Sequence, residues 1–195
     1  MRWICGLLTV VLTAAWAPQA ASWDKAAEVL RLGTIRIRTP RGTDFMLRIG
    51  MRPFQTPERD GRGGALRVAP VEDSSFGQIR LAEVRLGAVV AKDVVFEVDN
   101  GRITGVRAAE GASALGDALT SAGGSAKRFA ELSLGFDPAA SSGSETGAGT
   151  VCLGFGGNRA LGGTSPGTLH SRYCLADATL FVDSRYLVRD GKLIP

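Results

Sequence analysis

Apolar and polar residues alternate through most of the chain, which is the period of a half-buried strand. Thr34-Ile35-Arg36-Ile37-Arg38 and Asp44-Phe45-Met46-Leu47-Arg48-Ile49 predict two strands, and Pro40-Arg41-Gly42-Thr43 between them signals a hairpin turn. Trp23–Leu32 before them reads as a short helix, and the polar, breaker-rich stretch Arg52–Gly64 after them reads as a loop. Short β-prone runs then follow at Ala65–Ala69, Gly77–Leu81, Arg85–Val90 and Val94–Val98, and Asp99-Asn100-Gly101 ahead of Arg102-Ile103 marks another hairpin. The texture changes at Glu110. Ala114, Leu115, Ala118, Leu119 and Ala122 fall on one helical stripe, and Phe129 with Leu132, beyond Gly123-Gly124, predicts a second short helix. Asp137–Gly149 is a polar loop, after which Thr150–Phe155, Leu169–Leu175, Thr179–Val182 and Tyr186–Val188 read as strands. Helices segregated from strands give an α+β fold, with mixed or antiparallel sheets and two mid-chain helices.

The N-terminus departs from this pattern. A basic head, Met1-Arg2, precedes the uncharged apolar run Trp3–Ala17, which stops at Pro18 amid small residues. This reads as a secretory signal peptide over 1–21, leaving one domain over 22–195 in a secreted or periplasmic setting and no stable membrane span once cleaved. With 45% hydrophobic residues in 195 the chain is a globular protein, and 26 glycines without a Gly-X-Y period point to many turns rather than collagen. The net charge of +4 spreads 23 basic residues among 19 acidic ones with no long basic run, so no nucleic-acid partner is expected.

Few residues carry chemistry. His170 is the single histidine, so any His-dependent catalyst must use it and no multi-histidine metal site can form within one chain. On a strand over Leu169–Leu175, His170, Arg172 and Cys174 share a face. Cys5 leaves with the signal, and the remaining pair, Cys152 and Cys174, reads as a disulfide in an oxidising compartment and as buried thiols or metal ligands otherwise. Gly154-Phe155-Gly156-Gly157 has no Gly-Lys-Ser/Thr after it, which argues against a phosphate loop. Glu110, Glu131 and Glu145 are isolated carboxylates.

The order of short motifs from Gly33 to Pro195 resembles the C-terminal region of the aminopeptidase T family of thermophilic metallo-aminopeptidases. Arg38-Thr39-Pro40-Arg41-Gly42-Thr43-Asp44 looks like the family's "TPxGTD" strand pair, and Val68-Ala69-Pro70-Val71-Glu72 like its "xAPxE" strand. Ala130–Pro138 resembles "AExxxGxNP", Gly149–Gly156 resembles "GTVHxAxG", Leu169-His170-Ser171-Arg172 resembles "IHxD", and Asp190-Gly191-Lys192 resembles "DGxF". The resemblance implies the family's α+β C-terminal fold. It also implies two divalent metals held by glutamates, histidines and an aspartate, with a metal-activated water attacking the peptide carbonyl beside a free amino terminus.

Carried over position by position, the resemblance keeps few ligands. Glu131 and His170 stand at ligand positions, and Glu145 matches a further family glutamate as candidate general base. Ala65 replaces a ligand glutamate, Cys152 a ligand histidine and Arg172 the aspartate. Arg172 brings a fixed cation: at ~5 Å and ε near 20, its repulsion of a divalent ion is of order 6 kcal/mol. The resemblance therefore implies a degenerate site in which Arg172 pairs with Glu131 and a Cys152–Cys174 bridge fills the old metal position.

Three functions follow as expectations. The first is an exported, catalytically degenerate aminopeptidase T-like protein without a cofactor, acting by binding an unidentified peptide, protein or small ligand. The second is a hydrolase with a reduced metal site. The third is a metal-binding or redox module in which Glu131, Cys152, His170 and Cys174 hold one divalent metal, zinc by preference.

Overall fold

The computed structural model describes residues 17–56, 64–141 and 143–194, so the apolar run at 3–16 lies outside the described residues. Helix α1 (Ala17–Arg31) leads into β1 (Ile35–Arg38), β2 (Asp44–Leu47), β3 (Phe54–Gln55), β4 (Ala65–Val68), β5 (Phe76–Leu86), β6 (Val89–Asp99) and β7 (Arg102–Arg107). Helix α2 (Ala112–Ser121) follows, then β8 (Phe129–Gly135), β9 (Val151–Gly156), β10 (His170–Leu175), β11 (Thr179–Val182), β12 (Arg185–Arg189) and β13 (Lys192–Leu193). The strands form an eight-stranded sheet, ordered β13-β12-β11-β1-β2-β5-β6-β7, and a five-stranded sheet, ordered β10-β9-β8-β4-β3. Every strand pairing described is antiparallel, and the fold is α+β.

The two sheets pack through an aromatic chain. Phe45 of β2 meets Phe129 of β8 edge-on at 4.8 Å, Phe129 meets Phe155 of β9 at 5.7 Å, and Phe155 meets Phe96 of β6 at 5.5 Å. Such edge-to-face pairs contribute about 0.5–1.5 kcal/mol each beyond area burial and fix which face of each sheet looks inward. Leu66, Val68, Leu132, Leu134 and Leu153 join them, all fully shielded from water. Leu115 and Leu119, one turn apart on α2, close the end of this core by the helical stripe that the sequence displays.

Two elements correct the sequence reading. Phe129 and Leu132 lie on strand β8, so α2 is the one mid-chain α-helix among the described residues, beside a single 3-10 turn at Arg159–Leu161, and α1 is the other α-helix. The cause is a bulge between Phe129 and Glu131, which inserts one residue and stretches a spacing of two into a spacing of three, the helical value. The run Arg85–Val90 is not one strand, because the β5–β6 hairpin turns within it at Gly87, whose φ of 59° suits glycine. Apolar arms on both sides of that turn conceal it. Within the expected loop Arg52–Gly64, the pair Phe54–Gln55 joins β4, while 57–63 lie outside the described residues.

Strands β8 and β9 are buried on both faces. One face of the five-stranded sheet meets the aromatic core. The other is roofed by the loop after β8, which returns so closely over Gly135 that a Cβ there would sit 2.2 Å from the carbonyl oxygen of Gly147.

Candidate functional site

Strand register assembles the site on that roofed face. Arg172 lies opposite Gly154, which lies opposite Glu131; Cys174 lies opposite Cys152, which lies opposite Ser133, and Ser133 faces Arg67 of β4. Period-two geometry therefore sends Arg67, Glu131, Ser133, Cys152, Arg172, Cys174 and His170 to one side, while Leu132, Leu134, Leu153 and Phe155 go to the core. Gly154 makes the central contact. A Cβ at that position would come within 2.8 Å of the Glu131 side chain and 3.0 Å of the His170 Nε2, so only glycine lets Glu131 on β8 reach His170 on β10 across the strand between them.

The charged groups close into a ring of alternating sign. Glu131 Oε2 accepts hydrogen bonds from His170 Nε2 at 2.6 Å and from Arg172 Nη2 at 2.9 Å. Arg172 Nη1 donates to Glu145 Oε2 at 2.5 Å, and Arg67 Nη2 donates to the other oxygen of the same carboxylate. Arg67 Nε then faces Glu131 Oε1 at 3.7 Å, returning the chain of charges to its start. The Arg67 and Glu131 side chains are only 6% and 1% exposed, so their charges lie largely out of water and depend on one another. Two guanidiniums cancel two carboxylates, and His170 adds one positive charge when protonated.

Burial raises the affinity of the Glu131 carboxyl for a proton, but the hydrogen bonds from His170 and Arg172 and the Arg172 charge outweigh it and hold the group below the ordinary carboxylate range. His170 moves the other way. Its hydrogen bond to Glu131 outweighs burial, and the Gly157 carbonyl, 2.9 Å from Nδ1, adds to the upward shift. Both partners of the imidazole accept only, so filling both bonds requires the doubly protonated ring. Burial pulls the Arg172 guanidinium down, and the two carboxylates more than restore it.

This donor set does not fit a divalent metal. Cys152 is bonded to Cys174, both nitrogens of His170 are engaged, and Arg172 stands between Glu131 and Glu145. Among the described residues no group of three or more His, Cys, Asp or Glu side chains is arranged to hold a metal ion. Charge balance is met by arginine instead.

The residues singled out in the sequence do converge. Glu131, Glu145, His170 and Arg172 form one network, the Arg172–Glu131 pair is present, and Cys152 and Cys174 are joined beside it. Ala65 lies on the same face, two residues before Arg67 and opposite Gly135. Arg67 itself escaped the sequence reading. Its signal was a lone charge within Ala65-Leu66-Arg67-Val68, a strand whose four residues are all buried.

No protein-family model matches this chain, and no curated protein matches it in sequence. Solved structures do match. One is 2,5-dihydroxypyridine dioxygenase from Pseudomonas putida KT2440, with a TM-score of 0.75 and 18% identity over 91% of this chain and 60% of that one. Another is wild-type AmpT from Thermus thermophilus, an aminopeptidase T, with a TM-score of 0.66 and 19% identity over 93% of this chain and 56% of that one. The chain thus spans 56–60% of the length of these two structures, and the likeness is one of fold.

Proposed function

We propose that this chain is a catalytically degenerate protein of aminopeptidase T-like fold that acts by binding, in a secreted or periplasmic setting. The similar structures bear the names of a dioxygenase and of AmpT, so one fold carries unlike chemistries and function has to be argued from the site. The observation that carries the reading is the closed ring of Arg67, Glu131, Arg172 and Glu145 on the face where the sequence resemblance puts metal ligands. Two guanidiniums there satisfy the carboxylates that a metal would need, and both ring nitrogens of His170 are engaged, by Glu131 and by the Gly157 carbonyl, which leaves neither placed to act as a base. The Cys152–Cys174 bridge supports export, since such bonds persist in oxidising compartments. No helix among the described residues is long and apolar enough to cross a membrane.

The test is a turnover assay on the purified, non-reduced chain. Peptides with free amino termini are incubated with it in the presence of zinc, cobalt or iron(II), and their lengths are read by mass spectrometry. Unshortened peptides are the expected result. Metal-dependent removal of N-terminal residues, abolished by Glu131→Gln, overturns the reading and restores the hydrolase.

A further inference from the structure

We propose that the free edge of β10 takes an extended acidic peptide by strand addition, in the groove between β10 and β5. The proposal rests on the binding reading above and names the partner class.

Strand β10 ends the five-stranded sheet. Gly157 N–H donates to the Leu169 carbonyl and Gly156 N–H donates away from β10 to the Arg128 carbonyl, which fixes the pairing phase. The odd-numbered residues of β10 bond to β9, and His170, Arg172 and Cys174 turn their N–H and C=O groups outward. Among the described residues none of these outward groups has a backbone partner. Six residues at ~3.3 Å each make an edge of about 20 Å, long enough for a peptide of similar length.

Natural edges are normally guarded by a bulge, a proline, a charge along the strand or a covering segment. On β10 the register with β9 runs without a shift from His170 to Leu175 and the strand contains no proline; the one such device at its centre is Arg172, an inward-pointing charge held on Glu131 and Glu145. Beside the Arg172–Ala176 part of the edge lies a groove of about 390 Å³, with Arg41, Arg80 and Glu83 on its other wall; there β10 is also tied to β5 by the Tyr173 hydroxyl, which donates to the Arg85 carbonyl at 3.1 Å. Arg41 is paired with Asp93 at 2.8 Å and Glu83 with Arg85 at 2.7 Å. Arg80 is exposed and has no carboxylate partner among the described residues, which leaves the groove wall an excess positive charge. A second copy of the chain would bring this cationic wall against its own image; an acidic strand complements it, with main-chain bonds giving affinity and alternate carboxylates giving selectivity.

The probe is a blocked seven-residue peptide alternating valine and glutamate, titrated by calorimetry into the non-reduced chain. Controls are its valine–lysine counterpart and versions N-methylated at alternate amides in either phase. The glutamate peptide is expected to bind roughly tenfold more tightly than the lysine peptide. One phase of N-methylation removes binding and the other leaves it, and Arg80→Glu reverses the charge preference. Equal loss from both methylation phases, binding indifferent to Arg80→Glu, or no peptide binding, with or without a concentration-dependent dimer in sedimentation, overturns the proposal. These outcomes are separable from failure of the binding reading, because the probe is blocked and the turnover assay uses free amino termini.

Discussion

Replacing Arg172 by glutamine removes one guanidinium from the ring and leaves Glu131 with His170 and the more distant Arg67 Nε. Breaking a buried ion pair from one side costs about 3–5 kcal/mol, because the surviving charge stays out of water without its partner. Glu131 meets that condition at 1% exposure, whereas Arg172 is 23% exposed, so water that fills its place recovers part of the loss. The expected destabilisation is about 2–3 kcal/mol, or about 4–12 °C in Tm for a domain of this size. Urea unfolding at pH 7 on the disulfide-intact chain measures it. Glu131→Gln should in turn relieve the Arg172→Gln variant, since neutralising both partners leaves no stranded charge. A double-mutant cycle should therefore show a coupling of at least ~1 kcal/mol. An Arg172→Gln variant within ~0.5 kcal/mol of the parent, or strictly additive substitutions, would refute the ring as a stabilising unit.

Further outcomes follow from the same geometry. The His170 value is raised, so its pair with Glu131 contributes fully below the ordinary histidine range and is lost as pH rises through the folded-state value; His170→Gln should flatten the fall in unfolding free energy on the alkaline side. Glu131 is depressed, so its contribution is present above the ordinary carboxylate value and disappears as acid brings pH down through the folded-state value; Glu131→Gln should remove that acid loss from a urea-midpoint series. Reducing the Cys152–Cys174 bridge, which closes a separation of 22 residues, should cost about 3 kcal/mol, read as a shift in denaturation midpoint, and an unchanged midpoint would mean unpaired cysteines. Gly154→Ala should cost about 1–3 kcal/mol and lower the His170 titration seen by NMR, because the added methyl pushes Glu131 and His170 apart; a wild-type titration curve would contradict the packing.

Much of this was legible in the chain. Alternation placed the hairpin of β1 and β2 and strands β9 to β12, and the spacing of His170, Arg172 and Cys174 put them on one face. The Arg172–Glu131 pair was legible only through the resemblance, because nothing in spacing alone relates residues 41 positions apart. What escaped was set by features without a local signature. The bulge at Ala130 imitates helical spacing, and Arg67 looks like an outward strand charge until the loop carrying Glu145 folds over it. Strands β3 and β13, two residues each, are too short for any period.

The most direct test of the central claim, that arginine and not metal neutralises this face, is the nitrogen-15 imidazole spectrum of His170 with and without zinc. One histidine in the chain makes the assignment unambiguous. The account predicts both ring nitrogens protonated below the raised titration point and unmoved by stoichiometric zinc. Loss of one nitrogen's proton with a saturable, zinc-dependent shift would contradict it and return the site to metal chemistry.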